Sequence, residues 1–497
     1  MNKNNLIEYS ITNDRVVPFA IITFLTLIPT IIYAIFTNNQ YVLSIINFTI
    51  LSLSIFGFLF MTREIVLFDP IVLFSVYYFT IVITGYYDIF TQYKYSPFIN
   101  ETLLRSNLSD LTFYASMYYV IGYLFTLLGY FTFKNACIPL EFKFDNRYHL
   151  SDTILYLIII VFLLIGIFNF IFNINYFGEG NLINYLSNIS VRRIEFSESG
   201  STLGYVFAYT AMYFWFFKLL RQNHFWSFPF LIFIIITTLM VASTGRIFNT
   251  ILYAASFIGI YYFIELGKNG RTSNVKYYTI LTIFTFLGIV FYFLRLLSSL
   301  AYTENVLSTN DISTTISAFF SALAYFAIDL GNTPSIAVFL NIIDRWGDDI
   351  GFLYGQSLFT WMYNILPTSI RPEGYQPSVM IAKAWYDDVQ FGGGSLPPTG
   401  IGEMYANFGF LGPIIGMFLF GALSAILYNS MVKSRSYWFL AIYIQIAIGF
   451  IMLYPKNEFD NLSFWYVLPI ILTLYTARII TYFLKSLRRS EKSILSN

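Results

Sequence analysis

The residues of this chain best suited to chemistry are a few arginines and one group of carboxylates, set in a very apolar sequence. Ser243-Thr244-Gly245-Arg246 is a short turn directly before an apolar run. Free backbone N–H groups at a helix start, a permissive glycine and an adjacent guanidinium would suit a phosphate-like anion. The same arginine could equally anchor its helix at the lipid headgroups. Arg192 and Arg193 sit together in Val191-Arg192-Arg193-Ile194-Glu195, either paired with Glu195 and Glu198 or clamping the same anion. Arg295 lies near the end of an apolar run, where it either snorkels outward or turns into the bundle as a ligand.

The carboxylates Asp329, Asp344, Asp348, Asp349, Glu373, Asp387, Asp388 and Glu403 gather in residues 298–407. Most are expected to be solvated. Glu403 stands apart, in Pro398-Thr399-Gly400-Ile401-Gly402-Glu403 just ahead of an apolar run beginning near Phe408, and is the candidate general base. Gly392-Gly393-Gly394 upstream would let the chain move or approach a ligand closely. No P-loop or dinucleotide fingerprint accompanies these glycines, so a nucleotide cofactor is not expected. Cys137 is the only cysteine, and His149 and His224 lie far apart, so no metal site is expected. A net charge of +1 gives no argument for nucleic acid as a partner.

What must position these residues is a membrane bundle. The chain is 57% hydrophobic and 11% charged, whereas a soluble domain carries about 25% charged residues. Apolar runs lie near residues 16–36, 42–61, 70–90, 111–133, 154–174, 203–220, 226–243, 247–265, 277–297, 408–430, 437–452 and 464–484. Since about 20 apolar residues cross the hydrocarbon core, these predict an all-α polytopic membrane protein with about twelve spans. The first run has no cleavage pattern behind it and is expected to be retained. Asp69 is placed to cap a helix whose first residue is Pro70.

Lys134, Lys143, Arg147, Lys268, Arg271, Lys276, Arg488 and Arg489 all fall in connections on one side once the N-terminus is placed inside. The positive-inside rule then puts both termini in the cytosol. Residues 1–297 form an N-terminal bundle of about nine helices, and residues 408–497 contribute about three more and a cytosolic tail. Residues 298–407 form one long extracytoplasmic segment. Within it Ile312, Ile316, Phe319, Phe320, Leu323 and Phe326 fall at helical spacing, with Ser313, Ser317 and Ser321 on another face. That pattern predicts an amphipathic helix lying on the membrane or the bundle. A crossing there would need a return crossing, for which residues 352–370 are the candidate, and the non-crossing reading is preferred.

In layout, and in Gly355-Gln356-Ser357-Leu358, Leu366-Pro367, Arg371-Pro372 and Pro398-Thr399-Gly400 through Glu403, Tyr405, Asn407, Phe408, Gly409 and Gly412 to Gly416, the chain resembles the Wzy-type oligosaccharide repeat-unit polymerases. The Ser243–Arg246 turn is a further shared feature. The resemblance implies a GT-C-like glycosyltransferase of the bacterial cytoplasmic membrane that makes O-antigen or capsule. Its donor and acceptor would be undecaprenyl-diphosphate-linked oligosaccharides, and membrane lipid and a chain-length regulator would be its partners. Arg192, Arg193, Arg246, Arg295 and Arg371 would bind the departing diphosphate, with Arg246 also catalytic, and Glu403 would take the proton of the attacking hydroxyl. No metal or other cofactor would be needed. The alternatives are an O-antigen ligase, whose large loop typically carries a histidine absent from residues 298–407 here, and a flippase or exporter of the same lipid-linked glycan, for which no internal repeat is visible.

Overall fold

The computed structural model describes residues 40–61, 66–90, 104–134, 152–182, 203–222, 227–243, 247–269, 335–360, 377–385 and 396–459, with isolated positions between and beyond them. Helices α1 to α4 are Gln40–Met61, Pro70–Phe90, Leu108–Phe133 and Asp152–Gly178. Next come α5 (Leu203–Arg221), α6 (Phe228–Ala242) and α7 (Ile247–Asn269). Short helices follow: α8 (Ser335–Arg345), a 3-10 turn at Gln356–Phe359, α9 (Pro377–Trp385) and α10 (Gly400–Phe408). A second 3-10 turn at Gly409–Leu411 leads into α11 (Gly412–Ser434), and α12 (Tyr437–Ile446) ends in a π turn at Ala447–Ile451. No strand occurs among the described residues.

Five stretches among the described residues are long and apolar enough to cross a membrane: α1, α2, α3, α4 and the region Gly400–Ser434. On length and composition the chain is therefore a helical membrane protein. The expected runs at 16–36, 277–297 and 464–484, and the amphipathic stretch at 312–326, lie outside the described residues or touch them only at isolated positions.

By contact the chain divides into two compact units that do not follow its linear order. Unit 1 comprises residues 1–139, 327–433 and 446–462; unit 2 comprises 140–326, 434–445 and 463–497. The boundaries expected at 297/298 and 407/408 are not the boundaries of these units. Within unit 1, α8 and α10, from the long segment, pack on α3. In unit 2, α4 lies along α5, α5 against α6 and α6 against α7. Its core includes a polar knot where the Gln445 amide meets the hydroxyls of Tyr209, Tyr213 and Ser256.

Local chemistry sets the helix starts. Asp69 accepts the N–H of Ile71 at 3.1 Å, Pro70 opens α2, and Asn107 and Ser227 cap α3 and α6. Asp69 also accepts from Tyr130 Oη at 2.8 Å and pairs with Lys134 Nζ at 2.7 Å, which ties the start of α2 to the end of α3. Both ends of this ion pair are largely enclosed, with side-chain exposures of 13% for Lys134 and 4% for Asp69. Removing one partner strands a charge, at a cost of about 3–5 kcal/mol, whereas replacing both is far milder. Lys134→Met is therefore expected to lower the melting temperature of the purified protein more than Asp69→Asn/Lys134→Met does. A double variant at least as unstable as the single would overturn that assignment.

Two features stand out among the described residues of the 298–407 segment and its junction with α11. Helix α8 has every residue from Ile336 to Ile342 buried, so no face of its middle is left for water or lipid. At about 16 Å it is too short to cross, and it sits among α2, α3, α9 and α10 as an internal strut. Its end is fixed by Asp344, which accepts the backbone N–H groups of Arg105 and Ser106 at 3.0 and 2.9 Å, while Arg105 pairs with Asp349. Residues 352–359 form a turn and a 3-10 turn, with Gly355 at φ 89°, so no continuous helix starts at Phe352.

The second feature is the path of α10. The apolar stretch Gly400–Ser434 is not one rod: the carbonyl of Met404 lies against Gly412 and its side chain against Gly416. Residues that a straight helix would hold about 12 Å apart along its axis are thus in contact. Helix α10 runs back alongside the first turns of α11, and the reversal is made at Gly409, whose φ of 62° and ψ of −147° suit glycine alone.

Candidate functional site

The fold-back brings Glu403 to the centre of a closed polar network in unit 1. Its side chain is fully buried. Oε1 accepts from Ser357 Oγ at 2.7 Å, and Oε2 accepts from Tyr454 Oη at 3.1 Å and from the backbone N–H of Phe459 at 2.8 Å. Asn407, one turn further along α10, donates from Nδ2 to Ser357 Oγ at 2.7 Å and to the Glu403 carbonyl at 2.8 Å. Its Oδ1 accepts the N–H of Gly355 at 2.9 Å. Burial first, and then the Glu403 and Glu458 carboxylates, push the Tyr454 phenol well above its ordinary value, so it stays a neutral donor.

Backbone bonds knit the same three segments together. The N–H groups of Leu353 and Tyr354 donate to the carbonyls of Ala406 and Asn407, each at 3.0 Å. Those of Thr399 and Gly400 donate to Lys456 and Tyr454, at 3.2 and 3.0 Å. Thr399, the N-cap of α10, sits at φ 70°, a conformation that a β-branched residue rarely adopts, while its hydroxyl accepts the N–H of Gly402 at 3.0 Å. A second buried carboxylate, Glu458, takes the N–H of Ser378 at 3.1 Å and its hydroxyl, which docks the start of α9.

Such an arrangement can hold a shape. A carboxylate enclosed in protein and accepting on both oxygens is stabilised as an anchor, and for proton abstraction it would first have to be uncovered. Ser357, Glu403 and Asn407 belong to the segments that carry the family resemblance; Tyr454, Phe459 and Glu458 were not singled out. Asp344 and Asp349, expected to be solvated, are engaged at the end of α8.

Comparison with protein-family models, with curated proteins and with solved structures found no match. The site therefore rests on its geometry. Arg192, Arg193, Arg246, Arg295 and Arg371 all lie outside the described residues. Of the expected anion turn, Ser243 is described: its hydroxyl is buried, donates to the Met240 carbonyl at 2.7 Å and lies 3.2 Å from Tyr185 Oη. Helix α7 begins at Ile247, directly after Arg246, as the sequence predicts.

Proposed function

We propose that this chain polymerises undecaprenyl-diphosphate-linked oligosaccharide repeat units into a surface polysaccharide, as a bacterial cytoplasmic-membrane protein of about twelve spans with both termini in the cytosol. One observation supports the reading above the others. Four of the residues that carry the resemblance, Gly355 and Ser357 in one segment and Glu403 and Asn407 in another, are hydrogen-bonded together in one buried network beside α11. Resemblance confined to unconnected positions would give no reason for that convergence.

In the proposed reaction a hydroxyl oxygen of one lipid-linked unit attacks the anomeric carbon of another. The new glycosidic bond forms as the bond to diphosphate breaks, and undecaprenyl diphosphate leaves. Arg192, Arg193, Arg246, Arg295 and Arg371 are the proposed ligands of that leaving group, each well-placed donor contributing about 3 kcal/mol. The proton passes to an outer-face carboxylate of residues 298–407. Glu403 is assigned to holding the site in shape.

The deciding experiment is deletion in the native host, with surface glycan resolved by chain length. The expected result is loss of long chains while single repeat units still reach the surface. Polymerised glycan accumulating on its lipid carrier, without transfer, would point to a ligase and overturn the proposal. Loss of all surface glycan, with lipid-linked units trapped inside, would do the same in favour of a flippase.

A further inference from the structure

The outer surface of the α10–α11 hairpin is apolar over an unbroken length. From Phe410 to Ile426 every exposed residue is apolar: Phe410, Leu411, Ile415, Leu419, Leu423 and Ile426. The next exposed residue with a charge is Lys433. Leu411 and Lys433 are roughly 33 Å apart along a helix, which matches a hydrocarbon core of about 30 Å. With Lys433 at one membrane surface, the tip of the hairpin falls at the other.

At that tip the stripe widens into aromatic rings. Phe408 is 45% exposed, Phe410 62% and Tyr354 78%. Tyr354 is held there because its N–H donates to the Asn407 carbonyl and because Gly355 abuts the Phe408 ring. Phe359, 58% exposed, continues the patch along the 3-10 turn. So large an exposed apolar patch requires an occupant. Rings with one polar handle, at the end of a lipid-length stripe, suit the headgroup–acyl boundary.

We propose that Tyr354, Phe359, Phe408 and Phe410 form a collar seated in the bilayer interface. The collar fixes the depth of the α10–α11 hairpin, and the Glu403 network lies beneath it on the membrane side. The occupant is bilayer lipid: the patch continues the stripe of α11, and that stripe has the length of the bilayer. The inference does not depend on the polymerase reading and survives its failure.

The test uses the full chain reconstituted in phosphatidylcholine vesicles. Because Cys137 is the only cysteine, single cysteines can be placed on a Cys137→Ser background at Tyr354, Phe410, Leu419 and Asp348 and labelled with a fluorophore. At Tyr354→Cys and Phe410→Cys the expected result is strong quenching by lipids carrying a nitroxide near the headgroup. Aqueous iodide should quench these two sites about threefold less than Asp348→Cys, as befits an interfacial position. Leu419→Cys should respond to a nitroxide deep in the acyl chain. Iodide quenching at Tyr354 and Phe410 equal to that at Asp348 would overturn the proposal. So would shielding of both from iodide and lipid alike together with cross-linking between chains, since that means a second copy covers the patch. Two collar positions are read, so misfolding of one variant leaves the other decisive.

Discussion

Glu403→Ala is expected to destabilise the region around residues 396–459 severely, and not merely to silence it. The substitution removes the acceptor for Ser357 Oγ, Tyr454 Oη and the N–H of Phe459 in a fully buried place. Each stranded buried donor costs about 1–3 kcal/mol, and the vacated volume adds to that. A total of about 4–5 kcal/mol lies at the upper end of what one substitution does. In detergent this should appear as a large fall in melting temperature and as early proteolysis at 396–459. Glu403→Gln keeps the volume and one acceptor oxygen, and should cost about 1–2 kcal/mol. If Glu403 is a clamp, polymer made by Glu403→Gln in cells follows the amount of folded protein. A Glu403→Gln protein that melts like the parent yet makes no polymer would sink the clamp and restore Glu403 as the base.

Much of the bundle was legible because lipid imposes a simple code. Runs near 42–61, 70–90, 111–133, 154–174, 203–220 and 247–265 all appear as helices, their ends shifted by a few residues. Asp69-Pro70 marked the start of α2 correctly because cap and fixed φ are local properties. The pairing of Asp69 with Lys134 was not legible, because nothing in spacing alone joins two ends of different helices. The run near 408–430 corresponds to α11, but the sequence places Gly400–Asn407 in the long segment, and only the backbone at Gly409 reveals that it is a helix folded back on α11. Glu403 was visible as a carboxylate at a helix edge, a position that suits a base. Its burial comes from Tyr454 and Phe459, about fifty residues on, and from Ser357, about as far before. Contacts over such separations carry no periodic signal, so the network around Glu403 is visible only in the structure. In the long segment, apolar runs recur in sequence, and the described α8 is buried along its whole middle.

The second large effect is expected where α3 meets α11. A methyl group on Gly129 would lie 2.0 Å from the Phe418 carbonyl oxygen, and one on Gly421 would lie 2.1 Å from that of Thr126. Both obstacles are backbone, which no rotamer change can move. The helices must instead separate, and in lipid no hydrophobic force pulls them together again. Close packing across small residues is itself the source of association there. Gly129→Ala and Gly421→Ala should therefore each cost about 3 kcal/mol or more, beyond ordinary overpacking. Gly122 marks the limit of the effect: a methyl group there meets the ends of the Ile401 and Met417 side chains, which can give way. Gly351→Ala, with nothing within 4 Å, is the matched control and should melt like the parent. If Gly129→Ala and Gly421→Ala melt within error of Gly351→Ala, α3 and α11 do not pack as described. The register that sets Glu403 beside Ser357 would then lose its support, because α10 is held in place between α11 and the same face of α3.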